Sequence, residues 1–269
     1  MRFASLGSGS EGNALLVASS ATTSTSTSNA TARGTIIMVD CGFAVREVER
    51  RLRRLELTPA DITAIFVTHE HSDHIGGVFK LARRFAIPVW LSQGTFQAAQ
   101  RDVDGVNVHF CRDSEPVEIG DLRLFPYTVP HDAREPLQCV IGDGRHRLGV
   151  LTDAGHATPH MIATLAACDA LFLEFNHDLQ MLADSSYPTF LKRRISGDHG
   201  HLSNDASAAI LAALDKRQLK AVVAAHLSRS NNTPELALQA MRSAIAADED
   251  IELHLACQSL GFDWLSIAG

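Results

Sequence analysis

At 269 residues, with 45% hydrophobic and 20% charged side chains, the chain has the make-up of a globular protein able to bury a substantial core. Its formal net charge of −7 excludes wholesale attraction to nucleic acid, though a local basic face can still act. No run of roughly eighteen apolar residues occurs, which argues against a membrane span.

The opening MRFASL reads as a strand and, with no apolar signal segment, as the start of a cytoplasmic protein. Gly7, Gly9 and Gly12 then fit GxGxxG, the pattern of a dinucleotide-binding turn. That turn needs a helix next and an acid about 20 residues on. ALLVAS reads instead as a second strand and Ser/Thr-rich filler follows, so a tight turn between strands is the better reading. ATTSTSTSNATARG (21–34) is low-complexity and reads as a flexible hairpin loop before the strand TIIMVD. VREVERRLRRLEL spaces Val45, Val48, Leu52 and Leu55 along one helical face, with its arginines on a solvated one. The strand ITAIFVT, a helix over about 75–85 and the strand PVWLS follow.

The middle is β-rich: VNVHFC, PVEIGDLRLFPYTV, LQCVIGD and HRLGVLTD. Helices and strands alternate again in PHMIATLAAC, ALFLEFN, SNDASAAILAALD, LKAVVAAHLS and TPELALQAMRSAIA, with IELHLAC as the last strand. Residues 177–204 read as a polar insertion or lid. This order predicts an α+β fold, a β-sandwich of two sheets flanked by helices, in one domain spanning 1–269. The cysteines (Cys41, Cys111, Cys139, Cys168, Cys257) are odd in number and form no CxxC pair, so they read as reduced core residues.

The chemistry concentrates in AIFVTHEHSDHIGG. In an extended segment His69 and His71 point the same way and can share a metal ion. Asp73 and His74 lie where the chain turns into a helix and can reach a second ion. A solvated histidine patch fits less well, because the cluster directly follows an apolar strand. Further ligand types arrive after later apolar runs: His131 in LFPYTVPHDA, Asp153 in LGVLTDAGH and His226 in LKAVVAAHLS.

THEHSDHIGG matches the HxHxDH signature of the metallo-β-lactamase fold. SGSEGN, PHDA, TDAG, EFNHD, GHLSN and HLSRSNN resemble its YycJ/WalJ-like branch, whose members are described as DNA exonucleases. The resemblance implies an αββα sandwich of two mixed sheets flanked by helices. It implies one metal on His69, His71 and His131, a second on Asp73, His74 and His226, and Asp153 bridging them. Zn²⁺ and Mn²⁺ both accept such donors. The implied activity is that of a dinuclear phosphodiesterase, a 5′→3′ DNA exonuclease using a metal-bridging hydroxide. Two divalent cations, less two carboxylates and a hydroxide, leave about one positive charge to favour an anionic substrate.

EFNHD sets Glu174 and His177 after a strand, and LKRRISGDHGHLSN sets Lys192, Arg193 and Arg194 shortly before His199 and His201. These histidines and Glu174, with Asp73, are the catalytic candidates. His201 leads, because GHLSN resembles the Gly-His-x-Ser pattern of β-CASP nucleases. The basic run and Arg229 are candidates for substrate phosphates, although such a run is equally a solvated face. Phe43, Tyr127, Phe175 and Tyr187 are candidates to stack bases. Two other readings stand beside the nuclease: hydrolysis of a small-molecule ester, lactone or thioester, and a non-catalytic metal-binding module. Oligomeric state has no signature in the sequence.

Overall fold

Apolar residues on both sides of the early strands demand a sheet covered on both faces. In β1 (Arg2–Gly7), β2 (Ala14–Ala18) and β3 (Ile36–Val39), Phe3, Leu15, Val17, Ile37 and Val39 point one way. Ala4, Leu6, Leu16 and Met38 point the other. These strands pair antiparallel, and the sheet continues in parallel through β4 (Ala64–Phe66), β5 (Val89–Leu91) and β6 (Val108–Phe110). The computed structural model describes residues 1–19, 34–99, 103–246 and 250–267; of the Ser/Thr-rich stretch at 21–34, all but Gly34 lies outside them.

The second sheet repeats the plan. The strands β7 (Val117–Ile119), β8 (Leu122–Thr128), β9 (Leu137–Gly142) and β10 (Arg147–Leu151) pair antiparallel. From β10 the sheet runs parallel through β11 (Ala170–Glu174), β12 (Ala221–Ala225) and β13 (Glu252–Leu255). A final strand, β14 (Phe262–Ser266), returns to the first sheet antiparallel to β1, so among the described residues each mixed sheet has seven strands. IELHLAC is therefore not the last strand. β14 is only half-buried, and its mixed FDWLS sequence suits an edge.

Helices cover the outer faces. The first sheet carries α1 (Val45–Leu52), α2 (Ser72–Ile75), α3 (Val78–Phe85) and α4 (Gln93–Ala99). The second half carries α5 (Pro159–Leu165), α6 (Leu179–Asp184), α7 (Thr189–Ile195), α8 (Asn204–Ala213) and α9 (Pro234–Ser243). Thr158 and Thr233 cap α5 and α9 with proline at the first helical position, while Asp178 and Ser203 cap α6 and α8. Three apolar layers result. Phe3, Val17, Phe66, Leu124, Ile141 and Phe172 pack between the sheets. Val48, Leu52 and Leu81 cover the first sheet, and Met161, Ile210, Leu211 and Met241 the second. The architecture is thus two mixed sheets flanked by helices.

Several local expectations are corrected. The helix expected over about 75–85 begins at Val78, after the one-turn α2 and the pair Gly76–Gly77; Gly77 packs so close to Phe43 O that an added Cβ would sit 1.9 Å from it. Arg51 and Arg54 are not merely solvated. Arg51 lies over the Phe43 ring and donates to the Leu6 and Gln258 carbonyls, and Arg54 pairs with Asp263 on β14 (3.0 Å). Four cysteines are buried, and burial pushes the Cys41 thiol up to about 12, but Cys257 is exposed on the turn after β13. The glycine-rich turn packs against its neighbours: Gly12 has φ 149°, and a Cβ there would meet the Phe43 ring at 2.7 Å. No helix among the described residues is long and apolar enough to cross a membrane.

Candidate metal centre and active site

The carboxyl ends of strands from both sheets meet at one edge of the sandwich, the usual crevice for ligands beside parallel strands. β3 runs into Asp40, β4 into Thr68 and His69, β8 into His131, β10 into Asp153, and β12 into His226; β11 ends in Glu174. Asp40, Asp153 and His226 have left-handed backbone (φ 60°, 55° and 54°). Such strain in residues bearing a Cβ persists only where the surroundings hold it. Here Asp40 N donates to Phe66 O (2.8 Å) and His226 N to Ser8 Oγ (2.9 Å).

Two clusters of metal-capable atoms form. One nitrogen each from His69, His71 and His131 lies within 4.8 Å of the others, and so do Asp73, His74 and His226. Asp153 lies within the same reach of His69 and His74, and of Glu174, His201 and His226, so it stands between the clusters. His69, His74 and His131 are held from behind at Nδ1, which turns Nε2 toward the other ligand atoms, while His71 sets Nδ1 3.2 Å from His131 Nε2. His69 Nδ1 lies 2.9 Å from Thr68 Oγ1, which donates to Asp40 Oδ2 (2.8 Å). His74 Nδ1 faces the same carboxylate oxygen (2.8 Å), and His131 Nδ1 donates to Gly200 O (3.0 Å). Asn13 Nδ2 reaches His74 Nε2 (3.1 Å).

These residues fit a divalent cation. His69 Nε2 and Asp153 Oδ2 are buried with no hydrogen-bond partner, although Asp153 Oδ2 lies 3.2 Å from His74 Nε2. Orphaned buried donors and acceptors are rare unless something binds them. Imidazole and carboxylate are also the donors that divalent transition ions take. The electrostatics agree. Burial holds His69 and His131 below the usual imidazole range, as neutral ligands. Burial opposes charge on His74 and His226 too, but Asp153 and the other carboxylates outweigh it. His74 rises well above its ordinary value and His226 to about 10. The buried acids thus favour the protonated form of His74 and His226, and a cation held there would take the place of those protons. With Asp40, Asp132 and Glu174 alongside Asp73 and Asp153, the centre is more acidic than the two ligand carboxylates alone suggest.

His201 stands beside both clusters. Its Nδ1 lies 2.8 Å from Glu174 Oε1 and 3.4 Å from Asp153 Oδ1, and its ring stacks on His226 (centroids 5.3 Å apart). Glu174 is fully buried and accepts from Ala154 N (3.1 Å) and Leu202 N (3.2 Å). Burial works against ionising either partner. Even so, the pairing holds the carboxyl below its usual range and lifts the imidazole above its own.

A cavity of about 380 Å³ opens over this floor, lined by His71, Asp73, Asp153, His201 and His226, and on one wall by Tyr187, Leu191, Arg194 and Ile195. Of the basic run only Arg194 lines it, donating from Nε to Asp132 Oδ2 (2.6 Å). Lys192 Nζ donates to Ala183 O (2.6 Å), Arg193 is exposed, and Arg229 is ion-paired with Glu11. His199 is exposed, and its carbonyl accepts from Asp132 N (2.9 Å). His177 is buried outside the cavity lining, with Nδ1 3.3 Å from Asn176 Oδ1. Phe43, Tyr127 and Phe175 are core residues, while Tyr187 reaches the cavity. The sequence reading missed Asn13, Asp40, Thr68, Asp132 and Asn176. Asp40 had the same signal as Asp153, an acid closing a β-branched run; Asn13 had none.

The model of the beta-lactamase superfamily domain matches residues 35–226. Exodeoxyribonuclease YycJ of Bacillus anthracis is 31% identical over 262 residues, spanning 94% of both chains. Exodeoxyribonuclease WalJ of Streptococcus pneumoniae serotype 2 (strain D39) is 33% identical over 216 residues, 78% of this chain and 80% of its own. The metallo-beta-lactamase fold protein YhfI from Bacillus subtilis superposes with a TM-score of 0.71 over 98% of this chain and 99% of its own; at 14% identity that is a likeness of fold. By sequence match, by relatives spanning nearly its whole length and by architecture, the chain belongs to the beta-lactamase superfamily, with the metallo-β-lactamase fold.

Proposed function

We propose that this protein is a metal-dependent phosphodiesterase, a 5′→3′ exonuclease acting on DNA in the cytoplasm. The observation that carries the reading is the meeting of two ligand clusters and the His201–Glu174 pair at the floor of one cavity, which His71, Asp73, Asp153, His201 and His226 line. The relatives named exodeoxyribonucleases supply the substrate class, and four buried free cysteines suit a reducing compartment.

In this reading His69, His71 and His131 hold one divalent cation, Zn²⁺ or Mn²⁺. Asp73, His74 and His226 would hold the other, and Asp153, within ligand reach of both groups, would be available to each. Bound there, such ions activate water as a nucleophile and neutralise charge on phosphoryl oxygens. Asp40, Thr68 and Gly200 keep the imidazoles turned inward. His201, with Nδ1 committed to Glu174, has Nε2 available to protonate the departing 3′ oxygen, a contribution of ~10²–10⁴ in rate. Glu174 keeps that ring oriented and charged. Arg194 at the cavity wall takes a substrate phosphate, and Arg193 a more distant one. Lys192, Arg229, His177 and His199 act by supporting structure, through the contacts described above.

The test is turnover of purified protein with Mn²⁺ or Zn²⁺ on 5′-labelled DNA and RNA, with Asp153→Ala beside it. Metal-dependent release of mononucleotides from DNA, abolished in the variant, supports the reading. A metal-loaded protein that leaves nucleic acid intact and cleaves lactones or thioesters overturns it.

A further inference from the structure

One carboxylate of the cavity has no place among the ligands. Asp132 lines it beside Asp73 and Asp153, yet stands outside both ligand clusters. A bare acid in that position would repel the phosphate that the cavity takes. Asp132 is not bare. Its Oδ2 accepts from Arg194 Nε at 2.6 Å, and its Oδ1 lies 3.5 Å from His131 Nε2 and 3.6 Å from His71 Nε2. One carboxyl group thus joins the arginine of the cavity wall to rings that would hold a cation. The backbone makes the same connection. Asp132 N donates to His199 O (2.9 Å), His131 Nδ1 to Gly200 O (3.0 Å) and His201 N to Ile195 O (2.8 Å). A Cβ added at Gly200 would lie 2.2 Å from the Arg194 and Ile195 carbonyls, so the chain after α7 turns back on itself more closely than a larger residue allows.

We propose that Asp132 is the positioning residue of the phosphate site. It holds the Arg194 guanidinium beside the His69, His71 and His131 cluster, so that a phosphate reaching that cluster meets a donor already in place. This rests on the phosphodiesterase reading for the identity of the anion and adds the residue that orients its arginine. Arg194 needs such a tether. It belongs to a seven-residue helix none of whose residues is buried, and its side chain is 61% exposed. A long side chain in that setting samples many rotamers, and ordering it at the moment of binding weakens affinity. The bond to Asp132 uses only Nε. A guanidinium has four further N–H groups, on Nη1 and Nη2, in a planar fork suited to phosphate oxygens. The charge of Asp132 makes the question one of sign. An acid that is only a bystander repels the anion, and its removal tightens binding. An acid that holds the arginine does the opposite.

The test takes metal-loaded wild type, Asp132→Ala, Arg194→Ala and the double variant through three measurements: metal content by plasma mass spectrometry, kcat and KM on DNA, and calorimetric binding of inorganic phosphate. Metal content should be the same in all four, which also shows that the centre has folded. KM and the phosphate Kd should each rise about tenfold in either single variant, the scale of one hydrogen bond to a charged group. The double variant should be no worse than Arg194→Ala, because Asp132 acts through that arginine. Tighter phosphate binding by Asp132→Ala, or losses that multiply in the double variant, overturn the proposal. So does a loss confined to kcat with the phosphate Kd unchanged. Metal lost from Asp132→Ala assigns the carboxylate to the cation's ligands and overturns it as well. A wild type that cleaves no DNA while the phosphate pattern holds overturns the phosphodiesterase reading and leaves Asp132 its role.

Discussion

Asp153 is the residue on which both clusters depend. It is 2% exposed and lies within ligand reach of His69 and His74 on one side and of His226 on the other. Asp153→Asn keeps the side chain's shape but removes its charge. It is expected to lower bound metal by at least about one equivalent per chain, as measured by plasma mass spectrometry after dialysis against limiting Zn²⁺. Unchanged metal content would take Asp153 out of the ligand set. His201 plays a different part, and its variant separates binding from chemistry. His201→Ala should retain the metal while kcat on DNA falls by ~10²–10⁴, because Nε2 no longer delivers a proton. Loss of metal in parallel would instead make His201 a ligand. The local sequence indicates the donor types at these positions, since a polar residue closing a β-branched run is visible by eye. It cannot indicate that Glu174 meets His201 across 27 positions, because that contact depends on how residues 177–204 fold back.

At the scale of elements, α1 shows charge used for attachment. Glu47 accepts from Arg50 Nε (2.8 Å) and Arg51 Nε (2.6 Å), and Arg51 in turn binds carbonyls at the end of β1 and beyond β13. The hydrogen bond from Arg50, against burial and with further help from Arg51, lowers the Glu47 carboxyl to about 2. A depressed carboxyl stabilises the fold above its unfolded pKa of 4.5, and the contribution fades as pH falls towards 2. Glu47→Gln is therefore expected to lower Tm at pH 7, with the difference closing between pH 4.5 and pH 2. Thermal scans across that window decide it; a difference independent of pH would point to packing. The periodicity of Val45, Val48 and Leu52 made this helix legible, but the duty of its arginines was not. An arginine beside a glutamate looks solvated until the partner strands are in place.

At the scale of the molecule, the centre exists because two sheets are pressed together. Phe66 at the end of β4 is fully buried between them, three residues before His69. Phe66→Ala should destabilise the protein by ~3–5 kcal/mol, which for a domain of this size lowers Tm by about 10 °C. Calorimetry on metal-free protein reads this without contribution from the ions, and a shift of only a degree or two would mean that the layer is not tightly packed.

By itself the sequence determined the layers, the two rounds of strand and helix, and the ligand chemistry. Alternation along a strand and the choice of histidine or aspartate are local properties, written within a few residues. Only the tertiary structure decided which donors share a centre, since Asp73 and His226 stand 153 positions apart and meet at 3.5 Å. It also brought Asp40 behind His74, returned β14 to the edge of the first sheet, and left the apolar side of α7 facing the cavity. Each of these depends on which buried faces pack against each other, and burial is a property of the assembled chain.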